Sequence, residues 1–240
     1  RERVWQELEK ALGERDPDVF IRVLRECGAL RALLPEVDDL FGVPQPPAHH
    51  PEVDTGEHML MTLKQAAAMA ADTDVRFALL VHDLGKGTTP ESEWPRHIAH
   101  EHRGLERVAD VCERLRPPKR FSELARTVCQ YHTVCHRALE LRGKTLLKLL
   151  TATDALRRPE RFEAFLSACE ADARGRLGLE DRDYPQADYL RRARATAQSV
   201  GAGQFADQAL TGKALGQAIN AARTDALEAI RPGKSGGRAS

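Results

Sequence analysis

Residues 75–86 read VRFALLVHDLGK. The run is apolar almost throughout until His82-Asp83, so a helix here has no face suited to water and must be buried. Asp72 or Asp74 opens it and Gly85 stops it. A buried imidazole beside a buried carboxylate needs partners, because an uncompensated charge in an apolar interior is costly. A divalent cation supplies one, since Asp oxygen and His nitrogen both reach such ions at about 2.0–2.2 Å. Gly85-Lys86 then ends the helix and sets an ammonium beside the carboxylate, which suits a phosphate.

Outward from this stretch the pattern is helical in both directions. Val4, Trp5, Leu8, Ala11 and Leu12 recur at helix spacing over 2–13. Asp16-Pro17 opens a second helix that Gly28 closes, and a short one covers Leu30–Leu40. GVPQPPAHHPEVDTG, residues 42–56, is too rich in Pro and Gly for regular structure and marks a boundary. Thr55 can cap a helix to about Ala71, with His58 in its first turn and Met59, Met61 and Met69 as core filler. After a polar loop at 86–97, helices are expected near 98–116, 119–132, 144–156, 159–173, 187–199 and 212–230. The expected divisions are 1–41 as a helical connector, 42–173 as the metal-binding domain, 174–230 as a C-terminal helical region and 231–240 as a disordered tail.

Composition agrees with an all-α chain. Of 240 residues, 42% are hydrophobic but only 5% aromatic, and Leu and Ala dominate the apolar set. Strands would need more β-branched and aromatic residues. With 36 basic and 36 acidic residues the formal net charge is zero, so bulk charge does not announce a nucleic acid partner. Local clusters remain: Arg114, Arg116, Lys119 and Arg120; Arg157, Arg158 and Arg161; Arg191, Arg192 and Arg194. Exposed helix cations of this kind usually only solvate. Five cysteines (Cys27, Cys112, Cys129, Cys135 and Cys169) form no C-x-x-C pair and read as reduced thiols of a cytoplasmic protein. No apolar run reaches the ~18 residues of a membrane span, so no membrane association is expected. The chain opens at Arg1 inside an amphipathic pattern, which reads as part of something longer.

Seven of the nine histidines fall between 58 and 136. The order His58, His82-Asp83, Asp154, each on a helix, resembles the H…HD…D signature of the HD metal-dependent phosphohydrolase superfamily. Five strings narrow the resemblance: FIRVLRECGALRALLPEVDDLFGV, HPEVDTGEHMLMTL, VRFALLVHDLGKGTTP, WPRHIAHEHRG and EADARGR. Together they are similar to the C-terminal half of the bacterial multifunctional CCA-adding tRNA enzymes, over nearly the whole chain and most specifically from His50 to Lys86. The resemblance implies an HD-domain helical bundle with flanking N- and C-terminal helices. It implies His58, His82, Asp83 and Asp154 as metal ligands, with His100 (in HEHRG) and His132 completing a second ion that Asp83 would bridge. Asp172, in EADARGR, rivals Asp154; motif order favours Asp154. His49, His50, His102 and His136 read as surface or capping residues.

The resemblance also implies 2′,3′-cyclic phosphodiesterase, 2′-nucleotidase and phosphatase activities dependent on nickel, magnesium or manganese. The substrates implied are a tRNA 3′ end or small 2′-phosphate and 2′,3′-cyclic nucleotides. Asp83 and Lys86 are the expected catalytic pair, and Lys86, Arg96 and Arg103 the expected phosphate contacts. Trp94 could wall the site or pack a loop. A nucleotidyltransferase half would accompany the chain in the full protein, and a homodimer is compatible with the resemblance. The Gly-Ser pair and strand-borne D-x-D that a nucleotidyltransferase needs are absent; Asp181-Arg182-Asp183 sits in a turn. An alternative reading is a tRNA-binding or dimerisation module with a vestigial HD site, against which the complete ligand set argues. A nucleotidase of nucleotide metabolism fits the strings less well.

Overall fold

The computed structural model describes residues 2–233; part of the tail expected to be disordered, residues 234–240, lies outside them. Twelve α-helices and no strand occur among the described residues: α1 (Glu2–Gly13), α2 (Pro17–Glu26), α3 (Ala29–Leu33), α4 (Pro35–Asp38), α5 (Thr55–Ala68), α6 (Thr73–Val81), α7 (His100–Leu115), α8 (Lys119–His136), α9 (Gly143–Ala152), α10 (Pro159–Arg174), α11 (Pro185–Ser199) and α12 (Gly212–Ala229). The fold is all-α, as composition and periodicity require. None of the described helices is long and apolar enough to cross a membrane.

The chain clusters into two compact units, and the division falls inside α8 and α10 rather than at the linear boundaries expected. The first comprises residues 1–132 and 164–183. Here α1, expected as a connector, is part of the core: Trp5 packs edge-on against Phe77 of α6 and Phe121 of α8, with ring centroids 5.2 and 4.8 Å apart. Such edge-to-face pairs add to the burial of large apolar area. Arg76, the one cation in the apolar run, is buried because it closes the end of α1. Its guanidinium donates to the carbonyls of Leu12 and Glu14, both at 2.7 Å, and to that of Ala71 at 2.9 Å. Those carbonyls include acceptors that a helix C-terminus leaves without an intrahelical partner. From Val75 to Val81, α6 is buried on every side, as the sequence demands. Of the three methionines near α5, only Met59 is fully buried.

Residues 42–54 carry no regular element beyond a single bridge between Pro44 and Asp54, yet they are tightly ordered by hydrogen bonds; Thr55 and Gly56, expected in the same loop, already belong to α5. Gln45 donates its N–H to Val53 at 2.7 Å and Thr55 donates to Val43 at 3.0 Å. Asp54, rather than Thr55, caps α5, accepting from the Glu57 N–H at 2.9 Å.

The second unit comprises residues 133–163 and 184–240. Its core joins α9 to α12 at a close crossing: a Cβ on Gly143 would lie 2.4 Å from the Thr224 carbonyl oxygen. Gly143 N–H also donates to the Glu228 carboxylate at 2.7 Å. Tyr184 lies against His136, with Oη 2.9 Å from Nδ1.

Candidate metal centre

Asp83 belongs to the first unit and is fully buried at the turn that follows α6. The turn is held against the start of α7 by an approach that only glycine permits. A Cβ on Gly85 would fall 2.0 Å from the His100 carbonyl oxygen and 2.6 Å from the Gly104 nitrogen. Gly104 is in turn crowded by Cys129 of α8, whose sulfur would sit 2.7 Å from an added Cβ. The glycine of HDLGK and that of HEHRG therefore bring His100 and α8 up to Asp83. On the opposite side Gly175 presses against Thr62 of α5, 2.6 Å from its Cα were a Cβ present. That contact sets the end of α10, and with it Asp172, beside His58.

Each of the four histidines here is oriented from behind. His82 Nδ1 lies 2.7 Å from the Leu79 carbonyl oxygen, His100 Nδ1 2.9 Å from that of His97, and His132 Nδ1 2.9 Å from that of Val128. His58 Nδ1 lies 3.1 Å from the Gly175 carbonyl oxygen. A carbonyl only accepts, so each ring carries a proton on Nδ1 and turns Nε2 forward. Forward means Asp83 and Asp172. Asp83 Oδ2 lies 3.2 Å from His82 Nε2 and 4.0 Å from His58 Nε2; Asp83 Oδ1 lies 3.3 Å from His100 Nε2 and 3.5 Å from His132 Nε2. Asp172 Oδ1 is 3.0 Å from His58 Nε2 and 3.8 Å from His82 Nε2.

The charges follow from this packing. Burial pushes the Asp83 carboxyl up, but His82, Lys86 and the facing His100 and His132 outweigh it and hold it well below the usual range. Burial likewise pulls His58 down, and its bonds to Asp172 and Glu52 outweigh that and raise it. Lys86 is the internal counter-ion: Nζ lies 2.7 Å from Asp83 Oδ2 and 2.5 Å from Gln45 Oε1.

These residues fit a divalent cation. His82 Nε2 and both Asp83 oxygens are buried without a hydrogen bond of proper geometry, the Lys86 contact being an ion pair only. His100 Nε2 and His132 Nε2 face each other at 3.4 Å, an approach of two lone pairs that a shared proton or a cation would relieve. His58, His82 and Asp172 form one group with ligand-capable atoms within 4.8 Å of one another, and His82, Asp83 and His132 another. Asp83 joins the two sets through its two oxygens.

One expected ligand is displaced. Asp154 belongs to the second unit, at the end of α9, where its carboxylate faces Arg157 at 2.7 Å and Arg158 at 3.3 Å. The carboxylate that meets His58 and His82 is Asp172. Arg103 also differs from expectation: its guanidinium donates to the carbonyls of Gly85 and Ile98 and to Thr89 Oγ1, so it holds the loop after HDLGK instead of facing a phosphate. Arg96 is exposed. Trp94 packs the same loop, donating its ring N–H to the Thr89 carbonyl at 3.1 Å. His97 is occupied at both nitrogens, by Thr89 Oγ1 and the Pro44 carbonyl. Three residues escape the sequence reading: Gln45 behind Lys86, Glu52 behind His58, and Arg176, whose Nη2 lies 3.7 Å from Asp172 Oδ1. Arg176 sits four residues after Asp172 on EADARGR, a helical spacing that offers a signal.

The family described as "HD domain" matches residues 55–190. A second, described as "Probable RNA and SrmB- binding site of polymerase A", matches residues 1–41. Proteins called "Multifunctional CCA protein" from Thioalkalivibrio sulfidiphilus, Alkalilimnicola ehrlichii and Pseudomonas syringae are each 56% identical over 230 residues. Those residues are 96% of this chain and 56% of each relative, so the chain spans about half the length of the curated relatives it matches.

Proposed function

The chain belongs to the HD-domain family, and on that premise we propose that it is a divalent-metal-dependent phosphohydrolase acting on 2′,3′-cyclic phosphates, 2′-phosphates and related phosphomonoesters. The observation that carries the reading is the convergence of four Nε2 atoms on Asp83, each fixed by an acceptor behind it. A divalent ion in such a site lowers the pKa of bound water and withdraws charge from phosphate oxygens. We assign His58, His82, Asp83 and Asp172 to its principal ligand set, and His100 and His132, with the second Asp83 oxygen, to a further ion. Nickel, magnesium and manganese are the candidates.

The remaining chemistry belongs to the chain. Asp83 stays ionised, so its two oxygens keep negative charge between the histidines. Imidazoles held by an acceptor at Nδ1 need no reorientation to present Nε2 as a donor of an electron pair. Lys86, already at Asp83, offers a compact positive charge to phosphate oxygens, and we assign the exposed Arg96 to an outer contact. For partners, the match of residues 1–41 to an RNA-binding region favours a tRNA 3′ end delivered along that side. Arg3, Lys10 and Arg15 there are exposed. The basic clusters farther on give less support: Arg114 is paired with Glu36, Arg191 with Glu163 and Asp188, and Arg157 with Asp154. Addition of C or A to tRNA is not assigned to this chain, and the nucleotidyltransferase of the full-length protein is assigned outside it.

The test is hydrolysis of a 2′,3′-cyclic nucleotide with nickel, manganese or magnesium supplied in turn. Turnover that stops on chelation is expected. Turnover unchanged in excess chelator refutes the proposal.

A further inference from the structure

The loop at 42–56 carries a group that the proposed metal chemistry does not itself require. Glu52 Oε1 lies 3.0 Å from His50 Nδ1 and 3.1 Å from His58 Nδ1, and its Oε2 accepts the Leu177 N–H at 3.4 Å. The Glu52 side chain is only 4% exposed. His50, His58 and Glu52 are close enough to chelate an ion of their own. Proton accounting argues against that use. With the proposed ion on His58 Nε2, a second cation on Nδ1 would require the ring to lose both of its protons. With Nε2 presented forward, Nδ1 must carry a proton, and Glu52 and the Gly175 carbonyl are its acceptors.

We infer that Glu52 is a positioning residue for the metal centre: its carboxylate accepts the Nδ1–H of His58, fixes that ring and raises the basicity of Nε2 toward the ion. This rests on the proposed metal-dependent reading. A carboxylate behind a ligating imidazole strengthens it as a donor, which a carbonyl does less well because it carries no net charge. His50 Nδ1 meets the same Glu52 Oε1 at 3.0 Å and anchors it. Through Oε2 the same side chain ties the loop to the segment just after Asp172 and Gly175, so the loop and two of the ligands are set together.

The test is calorimetric titration of nickel ion alone into metal-stripped wild-type protein, Glu52→Gln and Glu52→Asp, with melting of each stripped protein. Glu52→Gln keeps the shape and removes the charge; Glu52→Asp keeps the charge. Glu52→Gln is expected to bind nickel about 10- to 100-fold more weakly, the usual effect of losing such a support. Glu52→Asp is expected to recover part of that loss whatever its melting temperature. Equal nickel affinity in wild type and Glu52→Gln, or equal losses in Gln and Asp variants, would overturn the inference. Absence of nickel binding by wild type would instead refute the proposed function itself, so the two failures are told apart.

Discussion

Replacing Asp172 and Asp154 each by asparagine separates the two carboxylates that compete for the metal centre. Asp172 is 2% exposed, 3.0 Å from His58 Nε2, 3.8 Å from His82 Nε2 and 3.7 Å from Arg176. The Asp172→Asn exchange keeps the shape of the side chain but removes the negative charge between two ligand nitrogens. Loss of even a supporting group commonly weakens metal binding about 10- to 100-fold. That factor corresponds to about 1.4–2.8 kcal/mol, and it is a lower bound for a group that touches the ion. Asp154 is different in kind. Its partners Arg157 and Arg158 are 82% and 56% exposed, and such surface pairs contribute about 0–1 kcal/mol. Its φ of 56° is left-handed, which asparagine adopts readily, so the exchange adds no backbone strain. Titration of nickel into each metal-stripped variant should therefore show a loss in Asp172→Asn of at least tenfold and no change in Asp154→Asn. Full binding by Asp172→Asn together with lost binding by Asp154→Asn would refute the assignment.

Gly85→Ala should lower stability, because its Cβ would meet backbone atoms of α7 at 2.0 and 2.6 Å. Overpacking of this kind costs about 1–3 kcal/mol, a fall of roughly 2–12 °C in melting temperature for a domain of this size; an unchanged melt in chelator would contradict the close crossing. Thiol labelling should be selective. Cys27 is exposed, whereas burial pushes Cys112 up to about 11 and Cys129 up to about 12. One fast-reacting thiol is expected in the native chain, and several would count against the packing. Binding of tRNA, followed by anisotropy, should weaken steeply between low and physiological salt because it would rest on phosphate contacts; affinity flat with salt would place the recognition elsewhere.

Much of this centre was legible because its signals are local. An apolar run ending in HDLGK can only be a buried helix closing on a charged turn, and the glycine there proves to be a contact with α7. The all-α class followed from the same periodicity. What was not legible depends on which helix ends meet in space. Asp154 and Asp172 are both carboxylates on late helices, and chain order cannot tell that Gly175 docks on Thr62 while Asp154 turns to its own arginines. Glu52 and Gln45 were hidden for another reason. They lie among prolines in a segment with no periodicity, and their value comes from contacts with distant residues, His58 and Leu177 for Glu52 and Lys86 for Gln45. Residues 1–41 read correctly as helices but not as core, since nothing in the spacing of Trp5 indicates that Phe77 and Phe121 will close on it.

The most direct test of the account is anomalous diffraction from crystals of the protein loaded with manganese or nickel. A peak is expected within about 2.0–2.2 Å of donor atoms from His58, His82, Asp83 and Asp172, with any second peak on the His100 and His132 side of Asp83. A well-loaded crystal with no peak at Asp83, or with its ion bound at Asp154 instead, would contradict it.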